Sequence, residues 1–150
     1  MIKKLCEKIK KFLLNHPDVK DLISLALIVG VIYFGFKGGM ILAFNNPSPM
    51  RGVVSNSMVP TFRRGDLLII RGVSSASDIE ENDIIVFNYP KEKQPIVHRV
   101  ILIENMDNDG LRYITQGDAN VYGTEVVYPG DVIGEVAFHI PYLGYPSVIF

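Results

Sequence analysis

The sequence predicts a mainly β domain behind one N-terminal membrane-spanning helix. Three observations predict it. Residues 22–44, LISLALIVGVIYFGFKGGMILAF, contain one charge, Lys37. After Pro49 the chain breaks into short β-branched runs divided by turn residues. Beyond Phe44 no stretch of useful length repeats its apolar residues at a helical period. At 150 residues and 48% hydrophobic, the chain supports one domain with a core and one appendage, and two independent large domains do not fit.

The first 21 residues carry six lysines (3, 4, 8, 10, 11 and 20) against Glu7, Asp18 and Asp21. Ile2, Leu5, Ile9, Phe12 and Leu13 recur at helical spacing between those lysines, as expected of a basic amphipathic helix lying in an anionic headgroup layer; a solvated basic helix is the alternative. Residues 22–44 as a helix would span about 34 Å, enough to cross a hydrocarbon core of about 30 Å. Lys37 sits near the end, where its stem can snorkel to the headgroups. The run exceeds the roughly 7–15 apolar residues of a signal-peptide core, and no clean small-x-small cleavage site separates it from the folded part, so it reads as a retained anchor. Lysines flanking a span tend to stay cytoplasmic. The next 40 residues offer only Arg51, Arg63, Arg64 and Arg71, which puts the amino end inside.

The Pro/Asn-rich segment 45–49, NNPSP, reads as a linker. Beyond it the expected strands are 52–55, 66–71, 83–89, 96–104, 112–116 and 132–138, with MDNDG at 106–110 joining two of them as a hairpin. SASDIEEND at 75–83 is a weakly helical acidic connection.

Inventory removes several chemistries. Residues 45–150 carry eight basic and thirteen acidic side chains, with no basic stripe among aromatics to hold nucleic acid. Cys6 is the one cysteine and closes no intramolecular disulfide; with His16, His98 and His139 it lacks metal-ligand spacing. No glycine-rich phosphate loop precedes a helix. No metal or cofactor is expected. Nucleophilic catalysis remains, which needs a hydroxyl, a base and donors for an oxyanion. Ser57 can be the hydroxyl, although a serine near proline also suits a plain turn. His98 alternates with Ile96, Val100 and Leu102 on one strand face, the place of a core histidine or of a base. Lys91 and Lys93 stand in the polar PKEKQP connection, where solvent keeps them protonated, so His98 is the better base. Asp118 follows Gly117 in a turn beside the same hairpin, where aspartate is favoured with or without a catalytic role.

In this order and behind a membrane span, these residues resemble the type I signal peptidases, specifically their archaeal and endoplasmic-reticulum, Ser-His branch. The resemblance rests on Ser57-Met58-Val59-Pro60-Thr61, which matches a Ser-Met-x-Pro-Thr nucleophile box, on Gly65-Asp66, on His98-Arg99-Val100 where bacterial members have Lys-Arg, and on Gly117-Asp118. It covers residues 52–134 and implies a signal-peptidase-like β catalytic domain. It further implies Ser57 as nucleophile, His98 as general base, the Ser55 hydroxyl and Ser57 N–H as the oxyanion hole, and Met58 and Pro60 in substrate binding. The family pattern places a second acid six residues after the aspartate; here that position is Thr124, with Glu125 next. The orienting acid is therefore open among Asp118, Glu125 and Asp131, with Glu125 preferred as the direct partner of His98 and Asp118 holding the turn or acting near His98.

The resemblance implies a membrane-bound serine endopeptidase that removes N-terminal signal peptides from secreted precursors. Its expected partners are those precursors, the lipid membrane and the secretion machinery, with no nucleic acid. The implied organisation is a cytoplasmic segment 1–21, a transmembrane helix 22–44 and an extracytoplasmic catalytic domain 45–150, on the outer face of the cell membrane or in the endoplasmic-reticulum lumen of a eukaryote. The rival readings are a LexA-like self-cleaving protease, which would bring a strand lysine and a DNA-binding helix pair, and a non-catalytic membrane-anchored β module.

Overall fold

The computed structural model describes Glu7, residues 16–106 and residues 110–145. The amphipathic pattern of residues 2–13 therefore lies outside the described residues, as do residues 107–109 of the hairpin tip and 146–150. Contacts divide the chain into two units, one reaching Gly39 and one beginning at Met40.

Helix α1 runs from Pro17 to Phe44. Proline is suited to the first helical turn, where its missing N–H is not needed, and Asp18 lies there with a favourable charge. At about 1.5 Å per residue its 28 residues extend about 42 Å. None of its residues is buried, and its leucines and most of its isoleucines, valines and aromatics are exposed. Among the described residues it is the one helix long and apolar enough to cross a membrane. It starts five residues before the apolar run, because Pro17–Asp21 supplies a polar first turn.

In the second unit the helix end is fastened to the sheet. Asn45 adopts a left-handed conformation (φ 47°), a usual way to end a helix. Asn46 is buried, accepts from the Ser48 N–H through Oδ1 (2.8 Å) and donates through Nδ2 to the Ile133 carbonyl (3.4 Å). The Gly72 N–H donates to the Phe44 carbonyl (2.8 Å), and a Cβ at Gly72 would stand 1.9 Å from the Asn45 carbonyl oxygen. Segment 45–49, a linker by composition, is thus held to the sheet through its buried Asn46.

Among the described residues seven antiparallel strands form one sheet in the order β1-β2-β7-β3-β4-β5-β6. They are β1 (Met50–Gly52), β2 (Leu67–Arg71), β3 (Ile84–Phe87), β4 (Ile96–Met106), β5 (Gly110–Gln116), β6 (Glu125–Val127) and β7 (Val132–Ile140). Strand β3 is central and apolar throughout, because it feeds cores on both faces: Val86 packs with Val53, Met58, Phe62, Leu68 and Ile70, whereas Ile85 and Phe87 pack with Ile79, Val100, Tyr113 and Val127. The register of β4 against β5 slips between Val100 and Leu102, and Ile101 and Leu102 are both exposed; the alternation expected to carry Leu102 inward ends at that bulge.

Two expectations are corrected. The first strand is Met50–Gly52, not 52–55, because the chain leaves the ladder after Gly52 to build the turn at 56–61. Strand β6 was not expected at all; three residues are too few to display a period. The acidic connection holds one 3-10 turn, Ala76–Asp78, capped by Ser75 and Asp78.

Candidate active site

The β1–β2 loop is closed at its neck by two backbone bonds, Val53 N–H to the Asp66 carbonyl and Gly65 N–H to the Val53 carbonyl (both 2.9 Å). Two apolar side chains of the loop, Met58 and Phe62, are sunk into the core below it. Gly65 has φ +95°, and a Cβ there would stand 2.4 Å from the Tyr145 ring, so the turn needs glycine for its backbone and for its space. Asp66 is buried and accepts from the Arg63 N–H (2.9 Å) and the Tyr142 N–H (3.0 Å), tying the loop to the chain end. Held this way, the loop presents Ser55 and Ser57 with their hydroxyl oxygens 3.1 Å apart.

The Ser57 carbonyl accepts from the Ala119 N–H (2.8 Å), which brings the loop onto the turn after β5. Gly117 packs there among three groups: a Cβ would meet the Ser57 carbonyl oxygen at 2.7 Å, Asn120 Nδ2 at 2.8 Å and His98 Nε2 at 2.9 Å. His98, on β4, is 5% exposed, with the Phe87 ring edge-on at a centroid distance of 6.4 Å. Its Nδ1 lies 2.8 Å from Glu125 Oε2. With Nδ1–H donating to that carboxylate, Nε2 is left as the acceptor beside Gly117 and the Ser57 loop. Among the described residues no hydrogen bond joins Ser57 Oγ to His98.

The structure brings Ser55, Ser57, His98 and Glu125 to one place and gives Asp118 a different partner. Asp118 takes a two-pronged contact from Arg99, Nε to Oδ1 at 2.8 Å and Nη2 to Oδ2 at 2.7 Å, and accepts from the Thr61 hydroxyl. Arg99 also donates to the Asn82 carbonyl (2.9 Å). Hydrogen bonding from Arg99, helped by Thr61 and opposed by partial burial, holds the Asp118 carboxyl below its ordinary value; the same contact raises the Arg99 guanidinium. Asp131 closes the 3-10 turn Pro129–Asp131 and its carbonyl accepts from Asn88 N–H; among the described residues it makes no hydrogen bond to His98. Met58 is 1% exposed in the core and Pro60 is exposed on the loop, and neither lines the groove that opens beside the two serines.

That groove, of ≈ 650 Å³, is lined by Ser57, Ser55, Val54 and Met50 together with Glu92 and residues 94–97. Strand β1 is an edge of the sheet, so an extended chain can add to it. Sequence reasoning named Thr61 and Arg99 as motif residues without a role and missed Thr115. The first two were visible only as neighbours of Ser57 and His98, and Thr115 reads as an ordinary β-branched strand residue.

The family model described as signal peptidase, peptidase S26, matches residues 20–104, which include Ser57 and His98. The chain is 32% identical over 138 residues to the signal peptidase complex catalytic subunit sec11 of Pyrenophora tritici-repentis, covering 86% of this chain and 78% of that protein. It is likewise 32% identical over 137 residues to the signal peptidase complex catalytic subunit SEC11C of Homo sapiens, covering 86% of this chain and 70% of that protein.

Proposed function

Because this chain belongs to the signal peptidase family, peptidase S26, and is a serine endopeptidase that removes signal peptides, we propose that Ser57, His98 and Glu125 form its catalytic set. The observation that carries this reading is the Nδ1–Glu125 contact, which leaves His98 Nε2 facing the Ser57 loop.

In this mechanism Ser57 Oγ turns from Ser55 towards Nε2 as substrate arrives. It attacks the scissile carbonyl while Nε2 takes its proton. The Ser55 hydroxyl, released from its 3.1 Å contact with Ser57, and the Ser57 N–H donate to the oxyanion. The intermediate collapses to an acyl-enzyme, Nε2–H protonates the leaving amine, and water then repeats the sequence with the same base. Glu125 keeps the imidazole in the tautomer the chemistry needs and stabilises the imidazolium.

The substrate is a precursor segment with small side chains at the first and third positions before the cut, held strand-fashion against β1 in the groove. Helix α1 is a single-pass anchor with the lysine-rich amino end in the cytoplasm and residues 45–150 on the outer face, which in a eukaryote is the endoplasmic-reticulum lumen. Anchoring concentrates the site near substrates held in the same bilayer. The relatives are named as subunits of a signal peptidase complex, and contact of this chain with secretion machinery belongs to the same reading.

The test is cleavage of a precursor carrying an Ala-x-Ala site by the full chain in lipid, with Ser57→Ala beside it. Cleavage and labelling by a serine-directed reagent must both disappear in Ser57→Ala. Undiminished cleavage in that variant overturns the reading.

A further inference from the structure

Thr115 stands directly opposite Glu125 in the β5–β6 pairing and opposite Val100 in the β4–β5 pairing. Gly117, two residues further along the chain, stands beside His98. Glu125 and His98 are therefore two strands apart, about 9–10 Å at the usual strand spacing. The glutamate crosses β5 past the position where Gly117 has no side chain. Such a reach leaves three torsions to fix, on a three-residue edge strand, for a side chain that is 19% exposed.

The group that fixes it is on β5. Thr115 is 0% exposed, and its Oγ1 lies 3.2 Å from Glu125 Oε2 and 3.4 Å from the Glu125 carbonyl oxygen. Among the described residues both acceptors within reach of this buried hydroxyl belong to Glu125, and the carboxylate oxygen is the nearer. It is the same oxygen that His98 Nδ1 meets. A buried hydroxyl needs an acceptor, and a β-branched side chain in a strand has a stiff χ1, so Thr115 is a directed and fixed donor.

We propose that Thr115 is a positioning residue for the reaction, its hydroxyl holding Glu125 Oε2 at the place where His98 Nδ1 needs it. This rests on the catalytic assignment of Ser57, His98 and Glu125. The His98 contact alone is a poor guide for the carboxylate, because the imidazole gains and loses a proton twice in each turnover. The Thr115 contact does not change.

Thr115→Val keeps the shape and removes the hydroxyl; Thr115→Ser keeps the hydroxyl and removes a buried methyl. The proposal expects the valine variant of the full chain to lose about tenfold or more in kcat with KM unchanged, the size expected for one lost bond to a charged group. The serine variant must stay within about twofold of the native rate. A packing role predicts the reverse order, since serine leaves the void. The downfield proton resonance of His98 Nδ1–H must persist in the serine variant and broaden in the valine variant. Glu125→Gln is measured alongside. If it keeps native turnover, the catalytic assignment fails. If it loses turnover while Thr115→Val does not, the Thr115 proposal alone is overturned. Should the valine variant unfold, Thr115→Ala takes its place: retention of native kcat in that variant overturns the proposal, and loss of kcat with rescue by serine supports it.

Discussion

Glutamate at position 125 and glycine at position 117 explain each other. The carboxylate has to pass over β5, and aspartate is one methylene short for a gap of two strands. Glu125→Asp should therefore lose most of the activity that Glu125→Gln loses, on the order of three to four decades if the set behaves as a Ser-His-carboxylate triad. Initial rates on an Ala-x-Ala precursor check this, and near-native turnover by the aspartate variant contradicts it. Gly117→Ala should also fail, because its Cβ would stand 2.9 Å from His98 Nε2 and 2.7 Å from the Ser57 carbonyl oxygen. Asp118 has another task, fastening the Thr61 end of the nucleophile loop to Arg99 on β4. Its folded-state carboxyl lies below the ordinary 3.8, chiefly through the Arg99 contact. Stability from this group is thus fully present above about 3.8 and is lost as pH falls through the lower folded value. Acid unfolding followed from pH 6 downwards should show a steeper loss in the native protein than in Asp118→Asn, which starts less stable near neutrality. Two identical acid profiles contradict the role.

At the scale of the element, the β1–β2 loop shows what could and could not be read beforehand. Its serines, proline and glycine announce a turn, and GVVS looks like a strand running directly into it. The strand ends earlier because the neck bonds between Val53, Gly65 and Asp66 take over from the ladder, a pairing between residues more than ten apart that no local pattern displays. Met58 likewise reads as part of a motif, whereas its side chain is one of the two apolar anchors beneath the loop. Met58→Ala should destabilise the folded domain by about 2–5 kcal/mol, as for other fully buried methionines. Thermal or denaturant unfolding measures this, and a change under about 0.5 kcal/mol would mean that the loop does not depend on that anchor. The strands at 84–87 and 96–106 were legible from their β-branched runs. Strand β6 was not, so the preference for Glu125 over Asp118 and Asp131 rested on motif position alone and not on its place opposite Thr115 across the sheet.

For the molecule as a whole, composition carried the most. A single apolar run of the right length, a β texture after it and an ordered set of Ser57, His98 and Gly117-Asp118 were enough to indicate the family, which the relatives then show. The packed character of segment 45–49 was not legible, because Asn46 and Gly72 meet their partners only in the folded state. The lysine asymmetry sets the topology proposal: protease added outside right-side-out vesicles should digest residues 45–150 and leave the amino-terminal segment, and protection of the β domain would reverse the orientation. The central claim is that one histidine, His98, serves as the base for Ser57 in a membrane-anchored signal peptidase. It is tested most directly by single-turnover cleavage of a signal-peptide precursor by the full chain and by His98→Ala, with folding of the variant verified by its thermal transition. The account predicts a folded variant whose acylation is slower by on the order of a thousandfold or more; a folded His98→Ala protein that cleaves at the native rate would contradict it.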